Sequence, residues 1–279
     1  TSGVEKLCKA NQVTLLEWTA TFADDHTARV AHGDDGETAT VEFEDCIVAT
    51  GSRPIEIPGF SFADEDVWAS RDALAAEERP DELVVVGAGY IGMELSTMFA
   101  KLGTDVTVVE MLDSALPAYD DDITRVVRSR AADLGVDFQF GEGASEWRES
   151  GEGIEVVTET EAGETATYGA DKVLVAVGRE PVTDTLELDA IGLEPDDTGF
   201  LAIDDHARTA VDHVYAVGDV AGEPMLAHKA SAEGIVAAET IAGMSTTLDT
   251  QAIPAAVFTD PEIGTVGLTE SEAVEAGYD

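Results

Sequence analysis

Residues 83–92 read LVVVGAGYIG, a continuous apolar run driven straight into a glycine-spaced turn. Few features restrict a chain more. Four apolar residues in a row suit a strand buried on both faces, the kind found in parallel sheets. The next six residues place Gly87, Gly89 and Gly92 in a G-x-G-x-x-G pattern. Alone the pattern is weak, because glycine triplets arise by chance. With a strand before it and a helix after it, the pattern predicts a dinucleotide-binding turn. Gly87 permits the tight turn, Gly89 lets a pyrophosphate reach the backbone, and Gly92 lets helix and strand pack closely. The phosphates then sit at a helix N-terminus, where free N–H groups and the dipole favour anions.

The surrounding pattern extends this unit. Residues 91–102 are helical, with Ile91, Leu95, Met98, Phe99 and Leu102 on one face and Gly103 as the stop. Strands follow at 106–109 and 136–140, with a helix over 123–134 between them. This is a βαβαβ unit of parallel-sheet type. Residues 153–177 read as hairpin strands. Residues 1–55 read as mostly β, with strands at 13–16 and 38–43 and a turn over the acidic cluster 34–37. Residues 54–80 form a connecting segment with one short helix. Two short strands are expected at 201–203 and 214–217, then a helix from Ala227 to about Ile241. A new β-rich segment covers 253–268.

The strand after the glycine turn ends in Glu110, about twenty residues on, where an acid can grip ribose hydroxyls. A carboxylate there repels a 2′-phosphate, and residues 111–114, Met-Leu-Asp-Ser, include no basic side chain. The nucleotide expected is therefore NAD and not NADP. The plainer alternative is a strand-end surface carboxylate. Glu94, placed inside the first helical turn, can interact with the dipole or reach a ligand beyond it; chemistry alone leaves both open. Three strands run into a glycine in the same way, at Val48-Ala49-Thr50-Gly51, Val175-Ala176-Val177-Gly178 and Tyr215-Ala216-Val217-Gly218. Three such glycines favour a ligand-lined crevice over plain turns. Asp219, at one of these strand ends, suits sugar-like hydroxyls, and the backbone of Met225 to His228 can contact a flat ring. His228 alone is more often structural than catalytic.

Charge excludes several classes. The formal net charge is −43, from 58 acidic against 15 basic side chains, yet 44% of residues are hydrophobic. A disordered acidic chain would lack the apolar runs seen here. A binder of basic partners would gather its acids into blocks, whereas these are spread, with only short clusters such as 119–122. A dense carboxylate surface that salt must screen fits best, so adaptation to high salt is expected. Nucleic acid would be repelled. No apolar run nears the roughly eighteen residues a membrane helix requires. Cys8 and Cys46 are too far apart in sequence for a closely spaced redox pair, a metal site or a disulfide scaffold. No metal is expected, and a reducing cytoplasm is consistent with this usage.

The motifs ATGSRP, VVVGAGYIGMELS with LGTDVTVVE, VLVAVGREP, YAVGDV with MLAHKASAEG, and IPAAVFTDPEIGTVGLTE resemble, in order, those of the flavoprotein disulfide reductases, the pyridine nucleotide-disulfide oxidoreductase family. The resemblance covers nearly the whole chain. It implies an α/β fold of Rossmann-like, doubly wound FAD- and NAD(P)-binding domains with the start of an α+β interface domain. Mapped by motif, 1–72 resembles the later part of an FAD-binding domain, 73–195 an NAD-binding domain, 196–250 a central domain and 251–279 the start of an interface domain. The cofactors implied are FAD and NAD. The NAD residues implied are Gly87, Ala88, Gly89, Tyr90, Ile91, Gly92, Glu94, Glu110, Ala144 and Gly178. For FAD they are Ala20, Thr50, Gly51, Ser52, Gly218, Asp219, Met225, Leu226, Ala227 and His228.

The motifs are most similar to those of members that oxidise protein-bound dihydrolipoamide with hydride transfer to NAD. Partners implied are lipoyl domains of 2-oxo acid dehydrogenase complexes and a second copy in a homodimer. Sister chemistries on the same scaffold, namely mercuric reduction, transhydrogenation or NADH oxidation, stay open, as does a non-enzymatic dinucleotide-binding protein. The family's N-terminal glycine turn, its Cys-x4-Cys redox pair and its His–Glu acid–base pair have no counterpart in these residues. We therefore expect an internal piece of a longer enzyme with no catalytic residue of its own, inactive alone.

Overall fold

A computed structural model describes residues 2–32, 36–151, 153–249 and 252–278. Thr1, Asp279 and part of the acidic turn at 34–37 lie outside the described residues. The chain divides into two compact units, Thr1–Ser52 with Pro181–Asp249, and Arg53–Glu180 with Thr250–Asp279.

The second unit is built on a five-stranded parallel sheet. Its order is Val67–Trp68, Lys172–Val175, Glu82–Val86, Asp105–Glu110 and Val136–Phe140. Leu83, Val84, Val85 and Val86 are all buried, as a strand covered on both faces requires. One layer of core joins Leu83, Val85, Met93, Leu95, Phe99, Val108 and Val127. The other joins Val84, Val86, Val109, Val156 and Val173. The helix Tyr90–Leu102 follows the glycine turn and ends on Gly103 in the left-handed region. Of the five residues expected on its apolar face, Leu95 and Phe99 are buried and Ile91 and Met98 pack partly buried against the same core; Leu102 is exposed, and Met93 is buried in addition. The helix Asp121–Asp133 opens on Asp120, Asp121 and Asp122, which complement its dipole. An antiparallel meander of Glu142–Ser150, Gly153–Thr160 and Thr165–Ala170 starts earlier than the hairpin expected at 153. A small hairpin, Ala255–Val257 with Ile263–Thr265, places Val257 and Ile263 in the first core layer.

The first unit begins with the helix Ser2–Ala10, where a strand-rich start was expected. Val4, Leu7 and Cys8 follow helical and not alternating spacing. Residues 13–16 are not a strand either; Val13, Leu15 and Leu16 are exposed and no strand pairs with them among the described residues. A three-stranded antiparallel meander follows, Thr19–Asp24, Thr27–His32 and Glu37–Glu42. Cys46–Val48 then pairs in parallel with Val214–Ala216. Residues 201–203 are irregular: Leu201 is buried in the core, but its N–H is satisfied by the Val220 carbonyl and not by a strand. The helix Ala227–Ile241 lies where its sequence placed it.

Candidate functional site

The glycine turn is held by packing that tolerates no side chain at two positions. Gly87 has φ +101°, and a Cβ there would lie 2.6 Å from the Ala176 carbonyl oxygen. A Cβ on Gly92 would lie 2.0 Å from the Gly87 carbonyl oxygen. Gly89 differs: nothing lies within 4 Å of where its Cβ would stand. Gly89 is also the N-cap of the helix, so no side chain caps the first-turn N–H groups, which have no intrahelical acceptor. The result is a rigid turn with open space at its middle glycine, beside a positive helix end.

Glu110 ends the neighbouring strand and binds back to the turn. Its Oε2 accepts the Ala88 N–H at 2.7 Å and its Oε1 accepts the Leu112 N–H at 2.9 Å. The Gly87 N–H donates to the Val109 carbonyl at 2.8 Å. A carboxylate has about four acceptor positions, so two remain for hydroxyl donors. Beside it lies a cavity of about 440 Å³, whose lining includes Gly87, Glu110, Met111, Leu112, Glu142 and Ala144. Among the described residues no lysine or arginine lines it. Gly87, Glu110 and Ala144 were expected to share a site and do share this cavity. Met111, Leu112 and Glu142 were not foreseen. The sequence signal of Met111 and Leu112 is limited to position, two large apolar residues directly after the strand-end acid, and the structure leaves both exposed. Glu142 accepts hydrogen bonds from Thr158 Oγ1 at 2.6 Å and Tyr168 OH at 3.0 Å. Burial, then the bond to Glu142, pushes the Tyr168 phenol up to about 12, so it remains a donor.

Glu94 is the fifth residue of its helix, one position past the first turn, which corrects its expected place at the helix start. Its Oε1 accepts the Phe258 N–H at 2.8 Å. Burial, then the Glu94 charge, raises the pKa of the nearby Tyr119 phenol. Asp260, two residues beyond Phe258, faces Lys101 at 3.0 Å and Arg130 at 3.6 Å. Gly178 accepts the Ile55 N–H at 3.1 Å and does not line the cavity.

In the first unit the expected residues gather past the ends of two neighbouring parallel strands. Thr50, Gly51 and Ser52 follow Cys46–Val48, and Gly218 and Asp219 follow Val214–Ala216. Ligands of open α/β sheets bind beyond such carboxyl ends. Ser52 Oγ donates to Asp219 Oδ2 at 2.5 Å, and Thr50 Oγ1 donates to the Val182 carbonyl at 2.6 Å. Ala20 and Thr50 line one apolar cavity of about 140 Å³. Leu226 caps the helix that carries Ala227 and the exposed His228, and the Met225 N–H donates to Glu223 Oε2 at 3.2 Å. Cys8 and Cys46 are free thiols, and burial raises the pKa of Cys46. Among the described residues no cluster of His, Cys, Asp or Glu could hold a metal ion, and no helix is long and apolar enough to cross a membrane.

A parallel sheet with a glycine turn, a strand-end acid and a cavity beside them defines a dinucleotide-binding α/β protein. The chain belongs to the pyridine nucleotide-disulphide oxidoreductase family: that family's model matches residues 1–234, and the model of its dimerisation domain matches residues 253–279. FAD and NAD are the cofactors of this family. Over its whole length the chain is 65% identical to a dihydrolipoyl dehydrogenase of Haloferax volcanii and 62% identical to one of Halobacterium salinarum, covering 59% of each. It is 43% identical to a dihydrolipoyl dehydrogenase of Geobacillus stearothermophilus, covering 58% of it. The chain thus spans well under two thirds of these relatives. Among solved structures, LpdA from Mycobacterium tuberculosis superposes with a TM-score of 0.89 at 27% identity, over 99% of this chain and 60% of that one. The HOCl-induced flavoprotein disulfide reductase RclA from Escherichia coli superposes with a TM-score of 0.88 at 26% identity, over 100% of this chain and 62% of that one.

Proposed function

We propose that these residues form the nucleotide-handling part of a dihydrolipoyl dehydrogenase, an enzyme that uses FAD to oxidise protein-bound dihydrolipoamide and delivers the hydride to NAD. The observation that carries this reading is Glu110, fastened to the glycine turn in a cavity lined by two acids and no base. The donor set fits NAD. Gly89 leaves room for a pyrophosphate, the helix end favours its charge, and Glu110 keeps acceptor positions for two ribose hydroxyls. A 2′-phosphate would meet the carboxylates of Glu110 and Glu142 with no cation to offset them. Ala144 and Met111 supply apolar surface for an adenine.

Asp219 and Ser52 fit FAD in the same sense, as a carboxylate and a hydroxyl set at strand ends to bind a polyol chain. Thr50, Gly51, Gly218 and the backbone of residues 225–228 complete that site in this reading. Bound together, the two cofactors supply two-electron transfer between a dithiol and a nicotinamide. The chain's own residues bind and orient: Glu110 holds the ribose, Glu94 stands near the nicotinamide, and Asp219 holds the flavin's side chain. None of the 279 residues supplies redox thiol chemistry in this account.

Residues 253–279 match a dimerisation domain, which supports a homodimer. Lipoyl domains of 2-oxo acid dehydrogenase complexes are the proposed protein partners, and a high-salt cytoplasm the proposed setting, in keeping with the −43 net charge and haloarchaeal relatives. The test is to purify the protein at its natural length, record visible flavin absorbance, and compare NAD with NADP as acceptor. Bound flavin with strong preference for NAD is expected; a colourless protein, or equal use of both nucleotides, would overturn the reading.

A further inference from the structure

Two oppositely charged side chains are buried in the first unit, and the proposed chemistry uses neither. Lys229 and Glu233 lie four residues apart on the helix Ala227–Ile241, with relative exposures of 8% and 3%. Their heads meet at 2.9 Å, Lys229 Nζ donating to Glu233 Oε1. A buried ion pair is a weak source of stability, because desolvating both charges offsets most of their attraction. Well-packed apolar residues in its place are often as stable or more so. Its other bonds therefore point to what the pair does.

Each of those bonds goes to the main chain of one short turn. Glu233 Oε2 accepts the Gly218 N–H at 2.6 Å. Lys229 Nζ donates to the Gly218 carbonyl at 3.3 Å and to the Gly222 carbonyl at 3.0 Å. The pair thus grips both ends of the 3-10 turn Gly218–Ala221. Inside that turn stands Asp219, whose carboxylate accepts from Ser52 Oγ. A glutamate oxygen and a lysine nitrogen on the amide and carbonyl of Gly218 fix the peptide planes on both sides of it, and so the direction in which Asp219 leaves the backbone.

We propose that Lys229 and Glu233 are positioning residues for FAD: the pair locks the turn at residues 218–222 so that Asp219 is preset to receive the flavin's hydroxyls. This rests on the reading of Asp219 as an FAD ligand. Neither Lys229 nor Glu233 touches the cofactor in this account; they act through the turn.

The experiment titrates FAD into the apoprotein, at its natural length and in high KCl, and follows flavin fluorescence to obtain Kd. Thermal unfolding of each apoprotein is recorded alongside. The variants are Asp219→Asn, Glu233→Gln and the double replacement Lys229→Met with Glu233→Leu. The double variant leaves the Gly218 N–H without its acceptor and the Gly218 and Gly222 carbonyls without their donor, so it is expected to fold but to unfold below the parent's temperature, while its Kd for FAD rises about tenfold or more, the scale of one charge-assisted hydrogen bond lost from a preset site. Glu233→Gln is expected to weaken FAD binding in the same direction, and it decides the matter if the double variant does not fold. If Asp219→Asn weakens binding while the folded replacement variants bind FAD as the parent does, the positioning role is refuted and the FAD site stands. If Asp219→Asn leaves Kd unchanged, the FAD reading itself fails, and the proposal with it.

Discussion

Glu110 and Ala88 are joined across the glycine turn, the Glu110 carboxylate accepting the Ala88 N–H at 2.7 Å. The residue proposed to select the nucleotide therefore also fastens the loop that receives it. Glu110→Gln keeps the shape but removes the charge. The expected result is a rise of about tenfold or more in the NAD dissociation constant and a stability loss of ~1–3 kcal/mol, since one of the two accepting oxygens becomes an NH2 that cannot accept and the other loses its charge. Isothermal titration and chemical unfolding measure the two effects separately. Glu110→Arg should in addition raise the relative use of NADP. An unchanged NAD affinity in Glu110→Gln would remove the residue from the site.

Two glycines of one motif should respond in opposite ways. Gly92→Ala puts a methyl 2.0 Å from the Gly87 carbonyl oxygen, a clash that requires backbone to move. It should destabilise the second unit by several kcal/mol, on the order of the largest single-residue effects. Gly89→Ala meets nothing within 4 Å and has an ordinary backbone angle, φ −69°. Its stability should change by only about 1 kcal/mol or less. Its NAD affinity should nonetheless fall, because the methyl occupies the space left for the pyrophosphate. Paired thermal unfolding and nucleotide titration of the two variants test this split.

The hairpin Ala255–Val257 with Ile263–Thr265 carries a pH-sensitive anchor. Asp260 between its strands is held below its usual pKa, first by the hydrogen bond from Lys101 and then by the charges of Lys101 and Arg130. A carboxylate depressed in the folded state stabilises above its unfolded value of about 3.8 and loses that contribution as pH falls through the lower folded value. The anchor is therefore complete at neutral pH, begins to weaken at about pH 4 and is lost as pH falls through the lower folded value. Hydrogen exchange of the Phe258 amide should accelerate there relative to the sheet core, after correction for intrinsic rate. Asp260→Asn should show the faster exchange already at neutral pH, and unchanged exchange in that variant would exclude the anchor.

What the sequence made legible follows from how local each signal is. The strand Glu82–Val86, the glycine turn and the helices Tyr90–Leu102 and Ala227–Ile241 are set by periodicity and by stop residues within a few positions. The helix Ser2–Ala10 is legible in the helical spacing of Val4, Leu7 and Cys8, but the β-rich segments that follow it outweighed so short a stripe. The strand Glu142–Ser150, EGASEWRES, has almost no apolar alternation and exists through its partner Gly153–Thr160. Residues 201–203 look like a strand because they are apolar; the fold buries Leu201 without pairing it. The Glu94–Phe258 bond spans 164 residues, and no local pattern encodes it. The four-residue spacing of Lys229 and Glu233 was visible, but such pairs are usually solvated, and only the fold reveals that this one is buried.

The charge of −43 should make folding depend on salt. Carboxylates spread over the whole surface repel one another, and screening shortens that repulsion to about 3 Å at 1 M salt. The unfolding midpoint should climb steadily as KCl is raised from millimolar to molar concentrations. A midpoint independent of KCl would contradict salt adaptation.

The most direct test of the account is NADH formation from dihydrolipoamide, followed by absorbance in molar KCl, with the protein at its natural length and with residues 1–279 alone. The account predicts NAD-dependent turnover by the natural-length, flavin-loaded protein, little with NADP, and none by the 279 residues alone. Failure of the flavin-loaded protein to reduce NAD with dihydrolipoamide, or turnover by residues 1–279 without the rest, would contradict it.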